Sequence, residues 1–94
     1  MINTQIDYLK IIEVHGLDIA NVIEQNIEDV IYNINYLNSL YFDDVVDIFE
    51  RYPQIFICEQ KGFKEKINSF INSIGVDYIE QLENNMNLWE TLLW

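Results

Sequence analysis

Residues 42–75 decide the fold, and they read FDDVVDIFERYPQIFICEQKGFKEKINSFINSIG. In the first third of this stretch, apolar residues recur at steps of three and four, the spacing that places side chains on one face of a helix. The pattern predicts a helix over 43–52 with Asp43 as its N-cap, because a carboxylate can accept hydrogen bonds from the free amides of the first turn. Pro53 has no N–H to donate and predicts the end of this helix. Its predicted core face consists of Val45, Val46, Phe49 and Tyr52.

An apolar run and a second helical pattern follow Pro53. The run at 55–58 is too short to be assigned to helix or strand by its period, and we interpret it as a buried connector. From Gly62 onward the apolar residues again recur at helical steps, and Gly75 fits the left-handed position that often closes a helix. The predicted core face of this second helix consists of Phe63, Ile67, Phe70, Ile71 and Ile74.

The remainder of the chain is also helical in pattern. We predict helices near 6–14, 18–26, 27–40 and 76–85, the first of them with Ile6, Leu9 and Ile12 as its apolar residues and Gly16 as its end. The 94 residues suffice for a single domain with one core. The fold class predicted is therefore all-α, a small compact bundle of about six or seven short helices spanning 1–94, with a helical-repeat-like arrangement as an alternative.

The C-terminal segment MNLWETLLW, residues 86–94, is unusually apolar for the end of a chain. Either it packs back on the bundle or it forms an exposed interface through which the protein self-associates, for example as a homodimer. The residues of this candidate oligomer interface are Leu88, Trp89, Leu92, Leu93 and Trp94.

The composition argues against catalysis and against a bound cofactor. The chain has one histidine, His15, and one cysteine, Cys58, in unrelated contexts, and it has no glycine-rich phosphate loop. We therefore expect no enzyme activity, no cofactor and no metal. No apolar run approaches the roughly 20 residues needed to cross a bilayer, and the N-terminus lacks the order of a signal peptide, so we expect a cytoplasmic protein without membrane contact. Abundant Ile, Asn and Tyr suggest an AT-rich genome, such as that of a low-GC bacterium or its phage.

Charge is the strongest functional signal. The chain carries 16 acids and 5 bases, and residues 1–50 hold ten of the acids with a single base, Lys10. Such a field repels nucleic acid and speeds encounter with a basic protein. We predict a non-enzymatic inhibitor of a basic, nucleic-acid-handling protein, of the anti-CRISPR-like, antitoxin or immunity type, whose carboxylates act as a DNA mimic. A solvated face that keeps the protein in solution is the alternative. The predicted partner-binding residues are Asp43, Asp44, Asp47 and Glu50, extended by Glu24, Glu28 and Asp29.

Two observations point to a helical repeat. Residues 38–45 align with 72–79, and each copy contains a helix end, a turn and an aspartate, which indicates either a true repeat or two helix–turn–helix units that use the same capping residues. In addition, residues 48–77 resemble a repeat of the mitochondrial transcription termination factor (mTERF) family, in which a helix, a proline, a second helix and a turn ending in glycine follow one another. The residues that fill the positions of this pattern are Ile48, Phe49, Pro53, Ile55, Phe70, Ile74 and Gly75.

The resemblance implies a second function. Members of the mTERF family bind duplex nucleic acid through basic grooves, which in this chain would require Lys61, Lys64, Lys66 and Arg51 to outweigh the acids locally. The chain departs from the family in its acidic charge, because phosphate contacts need many lysines or arginines. The resemblance therefore implies a fold more directly than a function.

Overall fold

A computed structural model describes residues 6–40, 42 and 44–92, and within them the chain is all-α, as predicted. The described part contains no strand and measures 36 × 25 × 24 Å. The elements are α1 (Tyr8–His15), α2 (Leu17–Gln25), α3 (Ile27–Asn38), α4 (Val45–Arg51), α5 (Pro53–Phe56), α6 (Gln60–Ile74), α7 (Tyr78–Asn84) and a C-terminal 3-10 helix (Met86–Leu92).

Pro53 separates α4 from α5 and begins a further helix. Helix α4 ends at Arg51, one residue before the predicted end at Tyr52. Pro53 is the first residue of α5, a position where its missing N–H costs nothing. The predicted connector is therefore a helical turn followed by two bent residues, and this turn adds one element to the predicted bundle. Ile55 and Phe56 are fully buried in it, as expected of an apolar run at the centre of the core.

The buried face of α4 differs from its prediction by one residue. Val45 and Phe49 are buried as predicted. Val46, which was also predicted to face the core, is 43% exposed, and Ile48 is buried instead. At about 100° per residue, Val45 lies between Ile48 and Phe49 in projection, whereas Val46 lies about 60° beyond Phe49 and so outside that face.

The first helix is rotated relative to its prediction. Ile11 is buried, whereas Leu9 is 80% exposed and Ile12 is also exposed. Helix α1 packs mainly against α2, so only one side of it is covered. Because apolar residues occur all round α1, their period did not identify the covered side.

Aromatic side chains join the C-terminal segment to the core. Trp89 is 1% exposed, and its ring lies 5.5 Å from the ring of Phe42 and 5.5 Å from that of Phe70, centroid to centroid. Leu88 and Leu92 are half-buried against the same core. Trp89 is thus a core residue and is not available to the predicted oligomer interface, while Leu93 and Trp94 lie outside the described residues.

A second aromatic row crosses the centre of the bundle. Phe56 contacts Phe49 and Phe63, each with ring centroids 5.4 Å apart, and Tyr36 meets Phe63 at 6.2 Å. These rings come from α3, α4, α5 and α6, so one row ties four helices together. Such edge-on and tilted pairs add to the stabilisation that burial alone provides.

A buried asparagine fastens α5 to α3. The Asn33 side chain is fully buried, and its Nδ2 donates to the carbonyl oxygens of Phe56 at 2.9 Å and Cys58 at 3.0 Å. These carbonyls lie where α5 ends, and a helix end has no backbone partners for its last carbonyls. Asn33 therefore supplies the donors that this segment lacks.

The N-cap of α4 is Asp44, and its carboxylate Oδ1 accepts from the backbone N–H of Asp47 at 3.0 Å. The predicted cap, Asp43, lies outside the described residues. The proposed repeat aligned Asp43 with Asp77, which holds the N-cap position of α7 without a capping hydrogen bond. The two copies therefore differ in register by one residue at their caps.

Replacing Gly62 by alanine is expected to raise the free energy of unfolding by about 0.5–1 kcal/mol, because glycine is costly inside a helix. Gly62 lies in the first turns of α6, and a Cβ atom added there has no neighbour within 4 Å. Thermal unfolding followed by circular dichroism measures the change. The matched control is Gly75→Ala, which should lower stability because Gly75 has a φ of 115°. A loss of stability in Gly62→Ala would contradict the assigned helix.

Candidate protein-binding surface

The acids of α4 lie on the side of the helix opposite its core face, as predicted. Asp44 is exposed at the N-terminus, and Asp47 and Glu50 follow at steps of three, each partly covered. Side chains three apart on a helix are neighbours. The three therefore form a row of carboxylates along α4, which we call the α4 acidic row.

Two members of the α4 acidic row are paired with bases of the same chain. The Glu50 Oε1 atom lies 3.0 Å from Lys10 Nζ, and the Asp47 Oδ2 atom lies 3.1 Å from Arg51 Nε. The hydrogen bond to Glu50, followed by the charge of that carboxylate, raises the pKa of Lys10. Three carboxylates and two bases leave one net negative charge, so the row is much less negative than its sequence suggests.

Helix α1 is held to the end of α4 at a second point. The Nε2 atom of His15, the last residue of α1, lies 2.7 Å from the backbone oxygen of Glu50. At this distance the imidazole N–H donates to the carbonyl. The Glu50 side chain thus accepts a hydrogen bond from Lys10, and its backbone oxygen accepts one from His15. These two hydrogen bonds join α1 to α4.

The extension predicted for this surface lies at the junction of α2 and α3. Glu24 and Glu28 are exposed there, and Asp29 accepts a hydrogen bond from Gln60 Nε2 at 3.1 Å. Glu28 and Asp29 border an open groove of about 290 Å³. These acids border a different groove from the one that Asp44 and Asp47 line, and we describe the predicted surface as two acidic areas, one at the α2–α3 junction and one along α4.

An open groove of about 350 Å³ lies between α4 and α7, and we call it the α4–α7 groove. Buried side chains form its base, and exposed or partly exposed acids form its edge. Arg51 also lines it, paired with Asp47. The base residues are Phe42, Ile48 and Leu82, and the edge acids are Asp44, Asp47 and Glu83.

Sequence analysis missed Glu83 and Leu82 as parts of this groove. They follow α4 by more than 30 positions, and neither has a motif around it that marks a site. The only signal was the apolar period of α7, which predicts that Leu82 faces the core. The helix that Leu82 contacts in the core depends on how the bundle packs.

Two of the four bases of the predicted basic patch, Lys64 and Arg51, make contacts within the chain. Lys64 Nζ lies 5.0 Å from the ring centroid of Tyr32 and 5.4 Å from that of Tyr36. A hydrogen bond with Tyr32 is the main cause that raises the pKa of Lys64. Arg51 lines the acidic α4–α7 groove. These contacts do not favour a surface on which lysines and Arg51 together bind phosphates.

Cys58 has the surroundings of an unreactive thiol. Its Sγ lies 3.7 Å from the Ile55 carbonyl oxygen, and burial is the main cause that raises the pKa of the thiol. A raised pKa lowers the thiolate fraction at neutral pH, and the thiolate is the nucleophile. Within the described part of the chain, no three His, Cys, Asp or Glu side chains are placed to hold a metal ion.

Comparison with protein-family models, with curated proteins and with solved structures finds no match to this chain. Among residues 6–40, 42 and 44–92, no helix is both long enough and apolar enough to span a membrane.

Proposed function

We propose that this protein is a non-enzymatic binding module that inhibits a basic, nucleic-acid-handling protein, in the manner of an anti-CRISPR-like factor, an antitoxin or an immunity protein. The excess of acids, 16 against 5 bases, carries this proposal. The proposed place of action is the cytoplasm, where a lone thiol such as that of Cys58 stays reduced.

The exposed carboxylates on the two acidic areas make the first contacts. Glu24 and Glu28 project from the junction of α2 and α3, and Asp44 projects from the start of α4. Their field attracts a partner's lysines and arginines before contact and accelerates association. Once bound, the carboxylates occupy the positions that phosphates of a nucleic acid would take, and this blocks the partner.

Asp47 and Glu50 contribute less than their place in the row suggests. Each is already within salt-bridge distance of a base on its own chain. Partial neutralisation leaves Asp44, Glu24 and Glu28 as the acids with the greatest capacity to bind a partner.

Replacing Glu24 and Glu28 by glutamine and Asp44 by asparagine is expected to abolish capture of the basic partner at low salt. The triple variant loses three negative charges, and asparagine caps a helix as well as aspartate does. The measurement is affinity capture from a nuclease-treated lysate of a low-GC bacterium, with washes at low and high salt and identification of the retained proteins. The wild-type chain should retain a basic nucleic-acid-binding protein at low salt and release it at high salt.

The matched control is the triple substitution Glu13→Gln, Glu65→Gln, Glu80→Gln. These acids are also exposed, and their loss changes the net charge equally at positions outside the proposed surface. The control should retain the partner nearly as well as the wild type does. Equal loss of binding in both variants would mean that net charge alone acts. Recovery of nucleic acid by the wild-type chain in an untreated lysate would instead favour the mTERF-like alternative, and recovery of only its own copies would favour self-assembly.

A further inference from the structure

The α4–α7 groove is a small, open cleft. Its volume of about 350 Å³ is at the lower end of the range for small-molecule pockets, roughly 300–1,000 Å³, and it is open to solvent. Its base is apolar, formed by Phe42 and Ile48, which are 6% and 4% exposed, with the fully buried Leu82 behind them. An occupant must therefore bring an apolar stem for the base and a charged end for the acids at the edge.

The chain itself places a guanidinium in this groove. Arg51 donates from Nε to Oδ2 of Asp47 at 3.1 Å, and both side chains remain substantially exposed. Exposed pairs of this kind, four residues apart on a helix, are weak because water competes for both charges. A guanidinium is therefore compatible with the edge of the groove, and a second one can enter beside Arg51 or replace it.

Arginine fits these features better than lysine does. Its planar guanidinium presents five donors and can bridge carboxylates on two helices, here Asp44 and Asp47 on α4 and Glu83 on α7. Its methylene stem can lie against an apolar base while the charge stays at the edge. A lysine ammonium is a compact, strongly hydrated charge that gains less from such an arrangement.

The geometry points to the α4–α7 groove as the anchoring site for an arginine side chain of the protein partner. This inference rests on the proposed function, and it deepens that function by naming the side chain recognised and its place. Glu24 and Glu28 then steer the partner, whereas the groove fixes its position.

The test is an NMR titration of the full chain with two acetylated, amidated probes, hexa-arginine and hexa-lysine. We expect hexa-arginine to shift the methyl resonances of Ile48 and Leu82 and to bind about fivefold or more tightly than hexa-lysine, because only the guanidinium bridges both helices. In the double variant Asp44→Asn, Glu83→Gln the two peptides should bind equally weakly. The control Glu13→Gln, Glu80→Gln has the same charge change outside the groove and should keep the preference for arginine.

Three outcomes separate this inference from the proposed function. Binding of both peptides with equal affinity, or without shifts at Ile48 and Leu82, overturns the arginine site and leaves the acidic-inhibitor proposal standing. A preference for arginine that survives in Asp44→Asn, Glu83→Gln also overturns the site. Absence of binding by either peptide at low salt contradicts both. If the double variant unfolds, Asp44→Asn alone, which retains the cap of α4, provides the comparison.

Discussion

Replacing Trp89 by alanine is expected to lower the free energy of unfolding by about 3–5 kcal/mol. The side chain is 1% exposed and contacts the rings of Phe42 and Phe70, so its removal leaves a cavity that backbone helices cannot readily fill. Domains of this size have a total stability of about 5–15 kcal/mol, so the variant should be largely unfolded or close to it at room temperature. Urea unfolding followed by circular dichroism measures the loss.

Two comparisons distinguish a core residue from an interface residue. Leu9→Ala, at a position 80% exposed, should change stability by no more than about 0.5 kcal/mol. The effect of Trp89→Ala should also be the same at low and high protein concentration, because the contacts broken lie within one chain. Two results together would restore the alternative of an oligomer interface. The wild type would become less stable on dilution, and Trp89→Ala would have only a small effect on stability at high protein concentration.

Replacing Asn33 by aspartate is expected to destabilise the protein by about 3–5 kcal/mol at neutral pH. The amide nitrogen of Asn33 donates to two backbone carbonyls at the end of α5, and a carboxylate would place negative oxygen against both. The site is fully buried, so water cannot compensate for the lost donors. Asn72→Asp, an exposed change of the same charge on α6, should cost at most about 1 kcal/mol.

The loss of stability caused by Asn33→Asp should depend on pH in a definite direction. Burial and the facing carbonyls disfavour the charged form, so the pKa of the new carboxyl is raised in the folded protein above about 3.9, its unfolded value. The neutral carboxyl is therefore tolerated better, and the stability difference from wild type should shrink as the pH falls toward the unfolded pKa. Unfolding in urea at several pH values measures it. A difference that stays constant or grows on acidification would show that Asn33 is not held as described.

Long-range contacts explain most of what sequence analysis missed. The helical spacing of apolar residues and the helix-ending residues Pro53 and Gly75 located the helices, because helix formation and termination depend on neighbouring residues. The pairing of Lys10 with Glu50 joins positions 40 apart, and nothing near either residue indicates it. The α4–α7 groove depends in the same way on α7 meeting α4.

Side-chain burial was predictable only where one face of a helix was clearly apolar. Helix α6 has one clearly apolar face, and Phe63 and Ile67 on that face are buried as predicted. Helix α1 did not, because apolar residues surround it, and Leu9 was assigned to the wrong side. Asn33 was not predicted to be buried, because a polar residue in a helical pattern is usually exposed. Its two hydrogen bonds to backbone carbonyls depend on the position of α5, which the sequence near Asn33 does not indicate.

The division of the acids changes the expected mode of binding. A continuous row of uncompensated acids from α2 to α4 would imitate a run of phosphates, whereas two acids of the α4 acidic row are partly neutralised by bases of the same chain and the acids Glu24 and Glu28 at the α2–α3 junction are exposed. Steering by the first area and anchoring in the α4–α7 groove would then be separable steps. Substitutions in the first area should slow association, and those in the groove should speed dissociation.

Displacement of basic proteins from DNA-cellulose measures whether the acidic surface competes with nucleic acid. A nuclease-free extract of a low-GC bacterium is bound to the column at low salt, and the purified chain is passed over it. We expect the wild-type chain to elute a discrete set of basic proteins without itself binding the column, whereas the Glu24→Gln, Glu28→Gln, Asp44→Asn variant should elute none of them. Retention of the chain on the DNA, or elution of nothing beyond what buffer releases, would contradict the claim that its acidic surface takes the place of nucleic acid.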